Sequence, residues 1–391
     1  MNAPLTGVRI IDLTELLPGP YATQLFVDLG AEVIKIERPG TGDGGRALSP
    51  GMFAAVNRGK YSVCLDLKQD AGRAVLHQLA AQADVLIEGY RPGVTQRLGV
   101  DYASLQALNP RLIYVSLTGY GQTGPLAQRP GHDINFLAAA GIIGLSGVPD
   151  GPPVHSIGAP VGDLAGSMFA VVAVLGALLQ RQQSGEGQFL DVSITDALVS
   201  WMAPRIGVYQ HGHRDAAETR REILTRPAYG VFATADEKYL TLAALETPFW
   251  KRLVQVLELP ALAVAELDAY PARVAKTAEI AAVLSERLRT RPLAHWAGLL
   301  AQHDIPFSTV PDIAQVLDDP HFRARGLFGA NANGAFVHFP VAMNGVGQVA
   351  ATASASAPKL GEHSDAVLAK FGVSAEDISR LHKQASSAGN S

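Results

Sequence analysis

Three ionisable residues, His132, Asp163 and Glu246, stand in sequence contexts where a side chain could move protons at a reacting carbon. Imidazole and carboxyl groups serve as acid–base groups in enzymes because their pKa values can be brought near the working pH. Each residue also has a structural alternative. His132 could be a core histidine, and Asp163 and Glu246 could each favour the N-terminus of the helix predicted to follow. Spacing alone leaves both interpretations open for all three.

Basic residues gather near the ends of the first predicted strands: Lys35, Arg38, Arg46, Arg58, Lys60 and Arg91. Taken singly, each could be a solvated surface charge. Open α/β sheets, however, bind ligands at strand ends, and arginine suits phosphate because its guanidinium can donate two parallel hydrogen bonds. The cluster as a whole therefore predicts a phosphate-bearing ligand.

The segment 119–124 has the glycine spacing G-x-G-x-x-G of a dinucleotide-binding turn, and it follows a predicted strand. That fingerprint also needs a helix that opens at the third glycine and holds the pyrophosphate. Pro125 follows at once and no helical pattern begins there, so we do not expect NAD to bind through this motif. The pair His211 and His213 lacks accompanying ligands, and no metal site is predicted.

The elements that must position these side chains belong to an α/β pattern. Apolar strands are expected at residues 8–13, 32–36, 61–67, 84–87, 112–117 and 189–194, with helices at 21–29 and 70–82 and a long helix after Asp163. Strands that alternate with helices predict a parallel sheet covered on both faces, here with a Rossmann-like outline. Between them, residues 131–160 are dense in glycine and proline, as in a loop-rich active-site wall.

A second, smaller domain is expected after a polar segment, 210–226, that we interpret as a linker. A hairpin is predicted at residues 230–243, and helices at 248–257, 278–288 and 292–301. The chain end is predicted to return to a strand near 335–340 and to finish in a helix from Ala375.

Bulk properties exclude several classes of function. The chain has 391 residues, 48% hydrophobic and 17% charged, which suits two folded domains rather than disorder. The formal net charge of −4 argues against a general nucleic-acid or anionic-membrane binder. Its single cysteine, Cys64, and an N-terminus without a signal-peptide pattern suit the cytoplasm. The apolar run 164–179 is interpreted as a core helix rather than a membrane span.

Motifs along almost the whole chain resemble the family III CoA-transferase (CaiB/BaiF) superfamily, which includes α-methylacyl-CoA racemases. The matching segments are 7–13, 18–20, 28–39, 57–60, 65–68, 88–93 and 118–125. The resemblance implies a Rossmann-like large domain built from both chain ends, with an inserted small α+β domain. We assign the large domain to residues 1–210 plus 325–391 and the small domain to 225–320.

The resemblance also implies an interlocked homodimer, no prosthetic group, and an acyl-CoA thioester as the substrate. Coenzyme A is expected near Arg38, Arg58 and Arg91. To this set we add Lys60 from the basic cluster and Tyr120 from the matching segment 118–125. No nucleic-acid or membrane partner is expected.

The branch of the superfamily depends on the three ionisable residues. His132, in Gly-His-Asp-Ile-Asn-Phe, resembles racemases, whereas transferases commonly carry tyrosine there, and Glu246 resembles the glutamate that supports the racemase histidine. Asp163 matches an aspartate of both branches. The sequence therefore predicts an α-methylacyl-CoA racemase, in which His132 and Asp163 exchange a proton with opposite faces of the α-carbon and backbone N–H groups after Asp163 stabilise the enolate.

The alternative is a transferase, in which Asp163 takes the acyl group as a mixed anhydride while CoA moves to a carboxylic acid. A non-catalytic CoA-ester binding protein and an NAD-dependent dehydrogenase are more distant alternatives.

Overall fold

The structure, a computed structural model, describes residues 3–155, 158–212, 215–343 and 355–388, with the backbone alone for 383–388. The described chain divides into two compact units. Unit 1 comprises the described residues within 1–143, 155–203 and 323–391, and unit 2 comprises those within 144–154 and 204–322. Each is described by itself below.

The strands of the described chain are numbered in chain order. They are β1 Arg9–Asp12, β2 Glu32–Glu37, β3 Tyr61–Cys64, β4 Val85–Glu88, β5 Ile113–Thr118, β6 Phe189–Ser193, β7 Tyr229–Ala233, β8 Tyr239–Ala243, β9 Phe307–Thr309, β10 Phe328–Asn331 and β11 Gly334–Val337.

The helices are numbered in the same way. They are α1 Pro18–Asp28, α2 Gly45–Leu48, α3 Pro50–Val56, α4 Asp70–Ala80, α5 Val94–Leu98, α6 Tyr102–Gln106, α7 Asp133–Ala139, α8 Val161–Ser184, α9 Ile194–Trp201, α10 Ala203–Gly212, α11 Ala216–Leu224, α12 Thr247–Val256, α13 Tyr270–Ala275, α14 Thr277–Leu288, α15 Leu293–Gln302, α16 Ile313–Asp318, α17 Pro320–Ala324, α18 Ser364–Lys370 and α19 Ala375–Ala388.

Unit 1 is built on a parallel sheet whose described strands run in the order β3-β2-β1-β4-β5-β6. This order reverses between β1 and β4, which is where Rossmann-like sheets open a crevice at the carboxyl ends of the strands. The predicted α/β class with a parallel sheet is confirmed. Both faces of the central strands are buried, because apolar side chains of each strand alternate between two layers of helices: Ile10 and Ile87 face α1 and α8, whereas Ile11 and Leu86 face α4 and α18.

The strand predictions in unit 1 are confirmed to within a few residues, because apolar residues mark each strand and turn residues bound it. The edge strand β3 ends earlier than predicted, at Cys64 instead of residue 67. Its exposed edge is partly covered by the chain end, since Ser62 and Cys64 exchange hydrogen bonds with His363 and Ser364.

The predicted linker at residues 210–226 is wrong. Its described part is mostly helical, in α10 and α11. Helix α11 begins after Asp215, whose carboxylate accepts a hydrogen bond from the backbone N–H of Glu218 at 2.7 Å. This N-cap stabilises a short helix that has only one buried residue, Thr219, so its polar composition concealed it. His213 lies outside the described residues.

Unit 2 contains the antiparallel sheet β7-β8-β9 and helices packed on one side of it. The predicted hairpin and the three predicted helices are confirmed as β7–β8, α12, α14 and α15. The core is centred on Trp250 and Trp296, which are almost completely buried beside Leu240 and Leu242 of β8.

Helix α8 is, among the described helices, the one long and apolar enough by length and composition to cross a bilayer. Half of its most apolar stretch is buried inside the protein, and core helices of soluble proteins pass the same test. The buried side of α8, which includes Ala165, Ala170 and Val174, packs on α1 and on the sheet.

Candidate active site

Asp163 lies in the first turn of α8, as its third residue. It is not the N-cap, which is Pro160, so a capping role for Asp163 is wrong, although its acidic side chain in the first turn still suits the helix N-terminus. The cap is supplied from outside the helix, because Asp133 Oδ1 accepts hydrogen bonds from the N–H groups of Gly162 at 2.6 Å and Asp163 at 3.1 Å. A side chain at Gly162 would place its Cβ 2.9 Å from that oxygen, so glycine permits the close approach.

The surroundings of Asp163 raise the pKa of its carboxyl to about 6. Burial is the largest cause, the negative charge of Asp133 adds to it, and the nearby His132 acts in the opposite direction. A carboxyl group with such a pKa is mostly ionised at neutral pH, yet it is a stronger base than an ordinary aspartate. It can therefore act as a nucleophile or as an acid–base group.

His132 is the residue that precedes α7, and its side chain is exposed. Its position is fixed through the backbone, since its N–H donates to Asn135 Oδ1 at 3.0 Å. Because α7 packs against α8, the His132 imidazole and the Asp163 carboxyl come near enough for their charges to interact. The structure thus brings together two of the three predicted acid–base residues.

The G-x-G spacing at Gly119 makes room for an aromatic ring rather than for a pyrophosphate. A Cβ at Gly119 would lie 2.3 Å from the Phe136 ring, and a Cβ at Gly131 would lie 2.6 Å from it. Tyr120 packs edge-to-face on Phe136, with ring centroids 5.3 Å apart. Tyr120, which we assigned to CoA binding, therefore belongs to the wall beside the His132 turn.

A cleft of about 320 Å³ opens at the carboxyl ends of β2, β3 and β4. Its lining residues are Glu15, Ile36, Glu37, Arg38, Leu65, Asp66, Leu67, Lys68, Tyr90, Val94, Arg97 and Leu98. Three are basic, namely Arg38, Lys68 and Arg97, and all three have exposed side chains. Apolar and cationic groups together suit a ligand that carries both a ring system and phosphates.

Arg38 is the predicted ligand residue that the structure places in this cleft. Its guanidinium donates to Glu15 Oε2 at 2.9 Å and is 60% exposed, so it remains accessible. Sequence reasoning missed Lys68 and Arg97 as site residues. Lys68 lies in the motif segment 65–68 and directly follows the third predicted strand, and this position was the available signal. Arg91 is exposed and follows the lining residue Tyr90 without lining the cleft itself.

Lys60 does not have the position that its predicted CoA contact requires. Its ammonium group is completely buried and donates to Asp12 Oδ2 at 3.1 Å, Pro20 O at 2.9 Å and Thr23 Oγ1 at 2.7 Å. Burial lowers the pKa of Lys60 to about 8, although the negative charge of Asp12 opposes this shift. The side chain secures the start of α1 from within the core.

Arg58 is engaged in the same way, so its predicted CoA contact is not supported by its position. Its guanidinium is 3% exposed and pairs with Asp28 at 2.7 Å. It also lies over the Phe336 ring, 4.7 Å from the ring centroid. The other basic residues of the cluster pair internally too, Lys35 with Asp43 and Arg46 with Glu37. Basic residues near the strand ends of this sheet thus form ion pairs within the protein as well as lining the cleft.

The turn between β1 and α1 joins the cleft to the Asp163 helix. Glu15 lines the cleft, and three residues later the Pro18 carbonyl accepts a hydrogen bond of 2.6 Å from Ser167 Oγ. The same hydroxyl lies 2.8 Å from the Asp163 carbonyl one turn earlier in α8. The positions of the cleft and of Asp163 are therefore fixed relative to each other by unit 1 alone.

The expected backbone donors at the start of α8 are already engaged. The N–H groups of Gly162 and Asp163 donate to Asp133, and that of Leu164 donates to Pro160 O at 3.1 Å. A substrate oxygen would have to compete with these bonds, so the predicted stabilisation of an enolate by this helix start is not supported.

Glu246 belongs to unit 2, where it directly precedes α12 and is exposed. The preceding carbonyl, Leu245 O, accepts a hydrogen bond of 2.5 Å from the buried Arg273. Arg273 also donates to Asp268 O at 2.8 Å, and Thr247 Oγ1 donates to the same carbonyl. The turn that presents Glu246 is thus held in place, whereas its support of His132 stays a prediction.

Comparison with known proteins identifies similar chains. The profile of the CoA-transferase family III matches residues 5–364. Acetyl-CoA:oxalate CoA-transferase of Acetobacter aceti is 34% identical over 95% of this chain and 96% of its own length. Succinate–glutarate CoA-transferase of Agrobacterium fabrum is 34% identical over 94% of this chain and 96% of its own. A CaiB/BaiF family crystal structure from Brucella suis matches with a TM-score of 0.84 and 31% identity, covering 95% of this chain and 100% of that one.

Proposed function

The chain belongs to the CoA-transferase family III, and we propose that it transfers coenzyme A from an acyl-CoA to a free carboxylic acid. The observation that carries this proposal is the partly buried carboxyl group of Asp163, whose pKa is raised to about 6 at the first turn of α8. The relatives named above are CoA-transferases, which favours this function over the racemase predicted from the sequence.

In the proposed reaction, the Asp163 carboxylate attacks the thioester carbonyl. The C–S bond breaks, the CoA thiolate leaves, and the acyl group becomes a mixed anhydride with Asp163. If the thiolate then attacks the Asp163 carbonyl, the donor acid departs and CoA remains as a thioester of the enzyme. The acceptor carboxylate reverses both steps and leaves as the new acyl-CoA. The raised pKa of Asp163 supports the first step, because a more basic carboxylate is a better nucleophile.

The nucleotide end of CoA fits the cleft beside β2, β3 and β4. Its phosphates would meet the exposed cations Arg38, Lys68 and Arg97, and its adenine would lie against Leu67 and Leu98. This placement also suits the β1–α1 turn, since a ligand anchored beside Glu15 can extend along it toward α8.

The acceptor is proposed to be a small dicarboxylic acid. The names of the relatives specify oxalate and glutarate as acids, and acetyl-CoA or succinate as the other partner. Oxalate and glutarate differ in chain length, so both are needed in a first screen.

A homodimer is also proposed. Helix α8 leaves large apolar side chains exposed on one side, including Met168, Phe169, Val172 and Leu179. Apolar groups gathered on one helix favour a covering partner, and a second copy of this chain is the partner that the family resemblance implies. Light scattering after size-exclusion chromatography measures the mass directly.

A racemase is kept as the second candidate because His132 acts on the Asp163 carboxyl electrostatically. An imidazole and a carboxyl group near each other could serve as the two acid–base groups that inversion of an α-carbon requires. In that reaction Asp163 would exchange a proton rather than form an anhydride.

One experiment separates these functions. The protein is incubated with acetyl-CoA or succinyl-CoA and with oxalate or glutarate, and new CoA esters are identified by mass spectrometry. A parallel incubation uses one enantiomer of a 2-methylacyl-CoA in heavy water without an acceptor. Hydroxylamine is added during turnover to trap an Asp163 acyl intermediate as the hydroxamate.

Transfer of CoA together with a hydroxamate at Asp163 is the expected result, and the Asp163→Asn variant should give neither. Deuterium uptake with inversion, and no hydroxamate, would replace the transferase by the racemase. CoA binding without either reaction across the acid screen would favour a non-catalytic CoA-ester binding protein.

A further inference from the structure

Glu88 is a buried carboxyl group for which the proposed reaction has no use. It ends β4, and the residue is 1% exposed. One carboxyl oxygen accepts the backbone N–H of Tyr90 at 2.6 Å, and the other accepts the hydroxyl of Ser116 on the neighbouring strand β5. Glu88 therefore fixes the first residues of the turn after β4, and Tyr90 in this turn lines the cleft.

A second carboxylate stands in the same row across the sheet. Glu88 is in register with Ser116, and Ser116 is in register with Asp191 of β6. Asp191 accepts the backbone N–H of Gln122 with both oxygens, at 3.1 and 3.0 Å. Each carboxylate thus holds a turn at the carboxyl edge of the sheet, but Glu88 is buried and Asp191 is exposed.

We propose that Glu88 is a positioning residue for the CoA cleft, acting through the Tyr90 N–H, and that its protonation state makes CoA affinity depend on pH. The inference rests on the proposed binding of CoA in that cleft. When Glu88 is neutral, it adds no negative charge beside Tyr90, which lines the cleft. When Glu88 ionises, it adds a negative charge there and weakens the attraction of the cleft for the phosphates of CoA.

The groups around Glu88 favour its neutral form at moderate pH. Burial raises the pKa of Glu88 to about 7, and the negative charge of Asp191 on β6 adds to the rise. The hydrogen bonds from Ser116 and Tyr90 act in the opposite direction. On β5 the facing titratable group is Tyr114. On the cleft side, Glu15 and Asp12 of the β1 region and Arg38 after β2 act on Tyr90. Glu88 would therefore change its charge within the physiological range.

The test measures the dissociation constant of CoA by calorimetry between about pH 6 and 8.5 for the wild type and three variants. Glu88→Gln keeps an acceptor for the Tyr90 N–H but cannot ionise. Asp191→Asn removes the neighbouring charge. Glu32→Gln is the matched control, because Glu32 begins β2 at the opposite edge and pairs with Arg9 and Lys370.

We expect the wild-type dissociation constant to rise about five-fold or more through an inflection near pH 7, because the ionised Glu88 repels the phosphates. Glu88→Gln should lose that inflection while it still binds CoA. Asp191→Asn should move the inflection down by about half a unit, and Glu32→Gln should leave it in place.

The same inflection in Glu88→Gln as in the wild type would overturn the inference, because titration of the CoA phosphates is common to every variant. A wild type that binds CoA with no inflection in this range would overturn it as well. Failure of the wild type to bind CoA at any pH is a different result, which overturns the proposed function and this inference with it.

Discussion

The carboxylate of Asp133 lies 3.1 Å from the backbone N–H of Asp163, so that one acidic residue holds the helix turn that carries the other. The arrangement keeps a second negative charge beside a carboxyl group that is already partly buried. Both effects act in the same direction on the pKa of Asp163. The pKa of Asp163 therefore depends on Asp133 as well as on burial.

The first prediction concerns Asp133→Asn. The amide oxygen can still accept the N–H groups of Gly162 and Asp163, but its negative charge is gone. The pKa of Asp163 should then fall from about 6, and the acid limb of the pH–rate profile should move down by about half a unit to one unit. Asp101→Asn, at the start of α6, is the matched control. An unchanged acid limb in Asp133→Asn would remove Asp133 from this role.

The second prediction concerns the stability of Asp163→Asn. The folded protein holds the Asp163 proton up to about pH 6, whereas the ordinary pKa is 3.8. The folded state thus binds more protons than the unfolded state between these values, and wild-type stability falls as the pH rises through them. Above pH 7 the carboxyl group is ionised in both states, and the full free-energy cost of burying its charge is present. Asp163→Asn should therefore be more stable than the wild type by about 1–2 kcal/mol.

Urea denaturation at about pH 7.5 and pH 4.5 checks this sign, because the difference should shrink toward zero as the pH falls. The variant should meanwhile have no transferase activity, so stability and activity would change in opposite directions. A variant that is less stable than the wild type at the higher pH would contradict the raised pKa.

Much of the fold of unit 1 follows from local patterns. The strands are short segments rich in apolar residues and bounded by turn residues, and the central strands are buried on both faces. Helix α11 was missed because nearly all of its side chains are solvated, so no apolar periodicity marks it. Asp215 followed by Glu218 three residues later was the one local signal.

The site was less accessible to sequence reasoning because it is built from long-range contacts. His132 and Asp163 are far apart in the chain, and they meet because α7 packs on α8. The basic residues led to a different error, because sequence reasoning assigned to ligand binding residues that pair inside the core. A lysine near a strand looks the same in sequence whether it lines an exposed cleft, as Lys68 does, or closes a core ion pair, as Lys60 does. Only tertiary packing separates the two.

The third prediction tests the internal role of Lys60. Removing its ammonium group in Lys60→Met leaves Asp12 buried with part of its compensation lost. Burial alone would raise the pKa of Asp12, but the positive charges of Lys35 and Lys60 hold it well below its usual value. We expect Lys60→Met to lower the free energy of unfolding by about 3–5 kcal/mol.

Urea denaturation measures this loss, and the double variant Asp12→Asn with Lys60→Met should recover part of it, since the uncompensated charge is then removed. The exposed pair Lys251–Asp268 provides the control, because Lys251→Met should cost less than about 1 kcal/mol. A stable Lys60→Met protein with weakened CoA binding would restore the ligand role that its burial argues against.

The fourth prediction concerns the two cations that the sequence did not reveal as site residues. Lys68→Gln and Arg97→Gln each remove one exposed positive charge from the cleft without touching the core. Each should raise the KM for acyl-CoA by about five- to twenty-fold. The difference in KM between variant and wild type should shrink as the salt concentration increases. Arg380→Gln in α19, where the guanidinium pairs with Glu376 and Asp377 on the surface, should leave the KM unchanged.

Comparison of CoA esters with their 3′-dephospho forms sharpens the assignment. If Arg97 contacts the 3′-phosphate, Arg97→Gln should lose affinity for the full ester and little for the dephospho form, because the group it recognises is already absent. Lys68 is tested in the same way, and a loss of equal size with both esters assigns that cation to the pyrophosphate. Unchanged KM values in both variants would place the nucleotide outside this cleft. The proposed path of CoA along the β1–α1 turn to Asp163 would then be wrong as well.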